Sequence, residues 1–384
     1  MLFSMASMQV NIISRSWLAY HISGSAFALG LVAMARGLPQ LVLSPWGGVA
    51  ADRFDKQKLL LASQCSLAVL AVVNAVLVQL NVIQVWQLVV LGLFQGVVFP
   101  FTMPARQAMI PAFVGEKRVP NAFALDSAGR NLNRVLGPSV AGVLLAWDPV
   151  IAFYTIAGLY VASALFVARL PSVKESGRRP GTAYSEFLAA FHHAVRHPRL
   201  SILMPMAFIV VILGLPLQQF LPTFQIEVLH VGPTQLGWMY TAIGVGALVG
   251  SFAMAVLASS PRRAAIQMVM GVGFGLALAA FAFSSVLLAS LAALVVLGFA
   301  SESYMTINRV EVVVNTEPEM RGRILGIYVM TWAVMPIASL PIGAIVDALG
   351  PGATFIGAGF LMALILAAIA VARPSVWRYR PATT

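Results

Sequence analysis

The chain has 384 residues, of which 60% are hydrophobic and only 10% are charged, and its mean hydropathy is +0.88. Because soluble proteins carry roughly 25% charged residues, this composition excludes an ordinary soluble domain and indicates a polytopic α-helical membrane protein. The single cysteine, Cys65, excludes a disulfide framework and a cysteine-based metal site. The net charge of +11 indicates no nucleic-acid partner, since most of the 24 Lys and Arg residues lie in alternate connections between apolar runs.

Twelve apolar runs are each long enough to cross a bilayer as a helix, for which about 20 residues suffice. They predict an all-α fold of twelve transmembrane helices in two pseudo-symmetric six-helix bundles. The first run has no basic flank and is interrupted by polar residues, so we expect no cleavable signal peptide. Its start is either truncated or misassigned, or the usual N-terminal tail is missing. The runs are residues 1–20, 26–51, 59–80, 84–104, 120–146, 149–170, 201–227, 234–258, 264–284, 287–308, 322–346 and 352–372.

The basic connections predict the topology and the domain boundaries. Positive residues collect in the connections that follow even-numbered runs and in the tail, which predicts that both termini are cytoplasmic. We therefore expect an N-terminal bundle, a cytoplasmic linker with an amphipathic helix, a C-terminal bundle and a cytoplasmic tail, at residues 1–170, 171–200, 201–372 and 373–384. In the eighth run, Gly246-x-x-x-Gly250 predicts a face against which a neighbouring helix packs closely.

The second part of the linker, residues 184–199, carries apolar side chains such as Phe187 and Phe191 at helical spacing. This pattern predicts an amphipathic helix lying on the cytoplasmic membrane surface. Three histidines in the segment are spaced so that no pair shares a helix face with carboxylate support, and we expect no metal site there. They are His192, His193 and His197.

A short charged connection joins the second and third runs, and it must lie in water or among lipid headgroups. Its sequence follows the pattern Gly-x-x-x-Asp-Arg-x-x-Lys-x-Lys and resembles the loop 2–3 signature of the major facilitator superfamily of transporters. The signature's usual glycine is Asp55 here, a residue that also suits a tight turn. The residues that carry the resemblance are Gly48, Asp52, Arg53, Lys56 and Lys58.

Further stretches resemble the drug- and siderophore-exporter branch of that superfamily, of the enterobactin-exporter and macrolide-efflux type. The resemblance implies that Asp52 faces the start of the eleventh run at residues 322–324 and acts as a conformational latch between the two halves. A carboxylate at a helix N-terminus contributes about 0.3–1 kcal/mol. The alternative is that the connection only sets the topology. The further stretches are residues 24–30, 104–107, 121–142, 195–198 and 320–323.

Two other motifs match the superfamily only in part. In the fifth run, Gly137-Pro138 resembles the antiporter motif and would kink the helix. In the fourth run, the family has an arginine before Gln95-Gly96, at the position that is Gly92 in this chain. The usual proton-relay arginine is therefore absent, which favours the alternative of a proton-independent facilitator or lipid flippase.

Charged residues inside the apolar runs cost about 2.5–3.5 kcal/mol each and persist mainly when they are paired or functional. Asp126, Arg130 and Arg134 are spaced by four residues, so they share one face of the fifth helix. Asp126 and Arg130 can pair locally, whereas Arg134 needs another partner or an anionic ligand. The trio predicts either a network between helices or a site for substrate or ions.

Glu302 in the tenth run is the first candidate for a proton-coupling carboxylate, and Asp126 is the second. Burial of a lone carboxyl group favours its protonated form, so it can carry a proton at neutral pH. The alternative for Glu302 is a hydrogen bond between helices or a place among the headgroups. In the superfamily, runs 1, 4, 7 and 10 line the central cavity, and this implies further cavity or substrate candidates. Together with Arg134 they are Arg15, Gln95, Gln218, Gln219 and Tyr304.

The sequence predicts a secondary transporter rather than an enzyme, because it has neither a phosphate-binding loop nor a nucleophile–base pair, and we expect no cofactor. The resemblance implies export of a small amphipathic compound, drug- or siderophore-like, from a bacterial cytoplasm across the inner membrane. Proton antiport by alternating access is the expected mechanism. The partners would be substrate, protons and membrane lipid, with the protein acting as a monomer. The rival of another class is a sensor or assembly partner that no longer transports.

Overall fold

A computed structural model describes residues 2–114, 118–172, 183–257, 260–317 and 320–373. Those residues form α-helices, one π-helical turn at Phe224–Val228 and short connections. The helices are α1 (Leu2–Ser23), α2 (Ala26–Arg53), α3 (Lys56–Gln79), α4 (Val85–Val114), α5 (Val119–Trp147), α6 (Pro149–Ala168), α7 (Ala183–Arg196), α8 (Leu200–Leu213), α9 (Leu217–Thr223), α10 (Pro233–Leu257), α11 (Arg263–Phe283), α12 (Leu287–Val314), α13 (Arg321–Leu349) and α14 (Pro351–Ala372). The expected all-helical architecture is confirmed.

Ten helical segments within the described ranges are long and apolar enough to cross a membrane. The remaining two predicted spans form α1 and α5, whose hydropathy is lowered by polar residues such as Arg15 and Arg130. The count of twelve crossings therefore stays a prediction. The predicted seventh span is one apolar stretch, Leu200–Val228, but it is broken between α8 and α9. Pro216, which lacks an N–H donor, begins α9 and accounts for the break.

Two predicted connections are wrong over part of their length, because helices continue through them. Helix α4 runs to Val114 and so includes Arg106, which the sequence assigned to a connection beginning at residue 105. Helix α12 likewise runs to Val314 and includes Glu311. Helical side chains have fixed directions, so both charged residues are aimed at neighbouring helices instead of lying in a loop.

The chain folds into two compact units. Unit 1 comprises Met1–Gly181 with Val231–Thr241, and unit 2 comprises Thr182–His230 with Ala242–Thr384. In unit 1, α2 packs against α4, and a Cβ atom added at Gly96 would lie 2.2 Å from the carbonyl oxygen of Arg36.

Unit 2 has an equally close contact. A Cβ added at Gly246 on α10 would lie 2.0 Å from the Val295 oxygen on α12. Glycine is therefore required where these backbones touch, as the Gly246-x-x-x-Gly250 pattern predicted.

The predicted amphipathic helix is present as α7, which packs against α8 and α13 within unit 2. Its buried positions are Ala190 and Ala194, whereas Phe191 and Val195 are exposed. The exposed aromatic and aliphatic side chains suit contact with lipid, and the location of α7 on the membrane surface stays a prediction. The side chain of Phe187 lies outside the described residues.

Candidate functional site

The interior of unit 1 holds an arginine that is coordinated by helix α4. Arg15 on α1 is 5% exposed, and its guanidinium donates to the side-chain oxygen of Gln95 and, over 2.6 Å, to the carbonyl oxygen of Leu88. The structure therefore brings together Arg15 and Gln95, two cavity candidates that the sequence proposed independently. A mid-helix carbonyl can accept this second bond because it has two lone pairs, of which the helix uses one.

Gly92 makes this arrangement possible. A Cβ atom at Gly92 would lie 3.0 Å from Nη2 of Arg15, so any larger side chain would compete with the guanidinium for space. Gly92 stands where the superfamily pattern has an arginine on the fourth span. The sequence indicated that this positive group is absent, but the structure places a guanidinium from α1 beside the same position on α4.

A small cavity lies next to this pair in unit 1. It has a volume of about 20 Å³, enough for roughly one water-sized group. Arg36 lies with its guanidinium carbon 5.8 Å from the ring centre of Phe99, a cation–π distance. The residues that line the cavity are Met8, Asn11, Arg36, Leu67, Gln95, Phe99 and Tyr160.

Asp126, the second proton-coupling candidate, is held by two arginines. Arg106 on α4 approaches its carboxylate at 2.7 Å, and Arg130, one turn along α5, forms the second ion pair. The side chains of Asp126 and Arg106 are 11% and 5% exposed. The local pair was predicted from the four-residue spacing, whereas Arg106 was not recognised as a partner. Arg134 is half-buried one turn further along α5.

Unit 2 contains a second buried carboxylate with two arginine partners. Glu311 on α12 is 2% exposed and pairs with Arg263 at 2.6 Å and with Arg199 at 3.3 Å. Asn315 also donates to its carboxylate over 3.2 Å. The sequence assigns Glu311 no role, because its partners Arg199 and Arg263 come from distant parts of the chain.

The first proton-coupling candidate, Glu302, is half-buried on α12 and interacts electrostatically with Tyr328 on α13. Tyr304, two residues further along α12, is fully buried. The remaining candidates of unit 2, Gln218 and Gln219, are half-buried on the short helix α9. Asn308, further along α12, donates to the carbonyl oxygen of Leu203.

The charged connection between α2 and α3 is described only in part. The side chains of Asp52 and Arg53, together with Gly48, lie outside the described residues, so the latch stays a prediction. Lys56 is 5% exposed and Lys58 is exposed.

Asp55, where the family has glycine, caps α3. Its carboxylate accepts from the backbone N–H groups of Gln57 at 2.9 Å and Lys58 at 3.2 Å, and from the Ser172 hydroxyl. The Ser172 hydroxyl is the main cause that lowers the pKa of the Asp55 carboxyl, and the backbone N–H groups add to the effect. Aspartate at this position therefore has a structural role as a helix N-cap.

Within the described ranges, which include the three linker histidines, no cluster of three metal-ligating side chains occurs. His197 caps the start of α8. Its Nδ1 accepts from the backbone N–H groups of Arg199 and Leu200, both at 3.3 Å, where α8 begins. Burial is the main cause that lowers the pKa of His197, which favours the neutral imidazole that this acceptor role needs.

The family profile described as "Transmembrane secretion effector" (MFS_3) matches residues 2–379. The chain belongs to this family. The resemblance to the major facilitator superfamily is therefore confirmed, and the family consists of transporters rather than enzymes.

Curated relatives cover most of the chain. It is 27% identical to the multidrug efflux pump Tap of Mycolicibacterium fortuitum over 378 residues, covering 95% of this chain and 91% of that protein. It is also 27% identical to the enterobactin exporter EntS of Citrobacter koseri over 328 residues, covering 83% of this chain and 76% of that protein.

A solved transporter shares the fold. The crystal structure of the nucleoside transporter NupG superposes with a TM-score of 0.77 at 14% identity, covering 99% of both chains. The likeness concerns the fold alone and agrees with the all-helical architecture.

Proposed function

We propose that the protein exports a small amphipathic compound, drug- or siderophore-like, across the bacterial inner membrane by alternating access. The observation that carries the proposal is the family match over residues 2–379, supported by similarity to an efflux pump and a siderophore exporter along most of their length. The buried charge clusters of each unit support it further, because polar groups inside membrane helices usually serve transport or its conformational changes. Both termini would be cytoplasmic and the working unit a monomer.

The proposed driving force is exchange with protons. A proton crossing a membrane gains about 2.3 kcal/mol per 100 mV, and a tenfold concentration gradient requires about 1.4 kcal/mol. One proton per cycle is therefore enough to support export against at least a tenfold gradient.

Glu302 is the proposed carrier of that proton, with Asp126 as the second choice. Asp126 on α5 pairs with Arg106 on α4 and with Arg130 one turn away, so a coupling role for this carboxylate would be tied to the packing of α4 against α5. Glu302 is half-buried on α12 and interacts electrostatically with Tyr328 on α13.

The residues proposed to hold the substrate are those expected from the sequence. We propose the cavity candidates retained from the sequence, with the loop between α2 and α3 acting as the latch. The candidates are Arg15, Gln95, Arg134, Gln218, Gln219 and Tyr304, and the latch residues are Gly48, Asp52, Arg53, Lys56 and Lys58.

Export can be tested in inverted membrane vesicles that contain the protein, with a panel of fluorescent amphipathic drugs and siderophores added to the outer medium. Energised vesicles should accumulate at least one compound more than vesicles from cells without the gene. Accumulation that survives collapse of the proton gradient would favour the facilitator or flippase alternative. If no compound accumulates more than in vesicles from cells without the gene, the proposed export of this class of compound is contradicted and the sensor alternative is favoured.

A further inference from the structure

Two positive charges lie in the interior of unit 1 without a negative partner. Arg15 is 5% exposed and Arg36 is half-buried, and neither forms an ion pair with any carboxylate in the described part of the chain. They are close enough for their like charges to interact, and Tyr160 lies near both. Unpaired cations are among the costliest groups inside a membrane, so an arrangement that places two together requires an explanation.

The two arginines lie at the same depth. Arg15 is eight residues before the end of α1 at Ser23, and Arg36 is ten residues after the start of α2 at Ala26. These two helix ends are adjacent in the chain, so at 1.5 Å per residue both Cα atoms lie about 12–15 Å from the same end of the unit. A hydrocarbon core of about 30 Å places them near its middle, where a bare charge is least tolerated.

Several N–H groups in and beside the cavity have no hydrogen-bond acceptor. Nε of Arg15 and Nδ2 of Asn11 are buried without a partner. The amide of Gln95, whose oxygen accepts from Arg15, also carries N–H donors. Asn11, Arg36 and Gln95 all line the cavity of about 20 Å³. A water molecule would satisfy some of these donors but would leave the two positive charges uncompensated.

We propose that Arg15 and Arg36, with Asn11 and Gln95, form a binding site for a monovalent anionic group. Its source is either a carboxylate on the exported compound, a reading that depends on the proposed function, or a free halide ion. The anion neutralises the paired guanidiniums and accepts from the unpartnered donors. Gly92 keeps open the space that the guanidinium of Arg15 occupies. If the anion is a carboxylate, the exported compound carries an acidic group. If it is a halide, unit 1 holds a bound halide ion.

The test is thermal unfolding of the purified protein in detergent, titrated separately with sodium chloride and with sodium formate, the smallest carboxylate, at constant ionic strength. A ligand that binds only the folded state raises the unfolding temperature in a saturable way. The key variant is Arg36→Met, because the Arg36 guanidinium contacts the Phe99 ring, and the loss of this contact leaves no polar group unsatisfied. Arg169→Met, which removes an exposed cation of the same unit, is the matched control.

We expect at least one of the two anions to raise the unfolding temperature of the wild type and of Arg169→Met. Arg36→Met should need an anion concentration about tenfold higher for the same increase, or should show no increase. Arg36→Met should also be at least as stable as the wild type without anion, because it removes repulsion. Gly92→Ala should weaken binding several-fold by displacing Arg15. A carboxylate response identifies a substrate group, and a response to chloride alone identifies a halide site.

An equal response of Arg36→Met and wild type, or no response of the wild type to either anion, would overturn the inference. Neither result would bear on export, because the measurement involves no transport. Conversely, anion binding by a protein that moves none of the tested compounds would leave the site standing and count against the proposed function.

Discussion

Replacing Glu311 by glutamine should destabilise the protein by about 2–4 kcal/mol. Glu311 is 2% exposed, and its loss of charge leaves Arg263 and Arg199 without a counter-ion. Breaking a buried ion pair typically costs about 3–5 kcal/mol, and a hydrogen bond to a charged group about 1.5–3 kcal/mol. The two arginine side chains are 13% and 17% exposed and can reach some water, so the lower part of this range applies.

The assay is thermal unfolding of Glu311→Gln and its controls in one detergent. A change of this size corresponds to about 4–8 °C for a large chain. Arg130→Gln is the matched control, because Arg130 is 41% exposed and Arg106 still pairs with Asp126 in its absence. That substitution should lower the free energy of unfolding by less than about 1 kcal/mol.

The double variant Glu311→Gln with Arg263→Met separates an unpaired charge from general damage. Removal of the orphaned cation should recover part of the lost stability, since the two residues contact each other directly. The reasoning is refuted if Glu311→Gln costs no more than Arg130→Gln, or if the double variant loses the sum of the two single effects.

Three further substitutions test individual contacts by the same unfolding measurement. Asp55→Ala should cost about 1 kcal/mol at pH 7 by removing the cap of α3. Because the pKa of Asp55 is lowered in the fold, its contribution should fade as the pH falls below about 4, and a difference that persists there would contradict the cap. Gly246→Ala should cost about 1–3 kcal/mol, since its Cβ would meet the Val295 oxygen at 2.0 Å. Gly273→Ala, with open space around it, should cost nothing, and equal losses would contradict the packing. The lowered pKa of His197 means that the fold should lose stability as the pH falls below about 6.5. His197→Asn keeps the acceptor and should show a smaller loss; an identical pH profile would argue against the capping role.

Hydropathy predicted the helical membrane fold because each span must satisfy its backbone internally and present apolar side chains to lipid. Local spacing likewise predicted the pair of Asp126 and Arg130, which are one helical turn apart. Arg106 could not be identified as the second partner from the sequence. Its contact depends on how α4 packs against α5, and α4 continues ten residues beyond its predicted end.

The cluster around Glu311 and the arrangement at Gly92 illustrate the same limit. The partners of Glu311 lie at the start of α8 and on α11, so no local sequence pattern predicts these ion pairs. At Gly92 the sequence showed a missing arginine, whereas the helix register places Arg15 beside that position. The packing of α1 on α4 is needed to show that the Arg15 guanidinium lies near Gly92, where the superfamily pattern has an arginine.

The central claim, proton-driven export, is tested most directly by substrate-evoked proton movement in proteoliposomes with an internal pH dye. The parent protein is compared with Glu302→Gln and Asp126→Asn over a panel of amphipathic drugs and siderophores. We expect proton flux that accompanies substrate and is lost in Glu302→Gln while substrate binding persists. Substrate flux without proton movement in the parent protein would contradict proton antiport and favour a facilitator or lipid flippase.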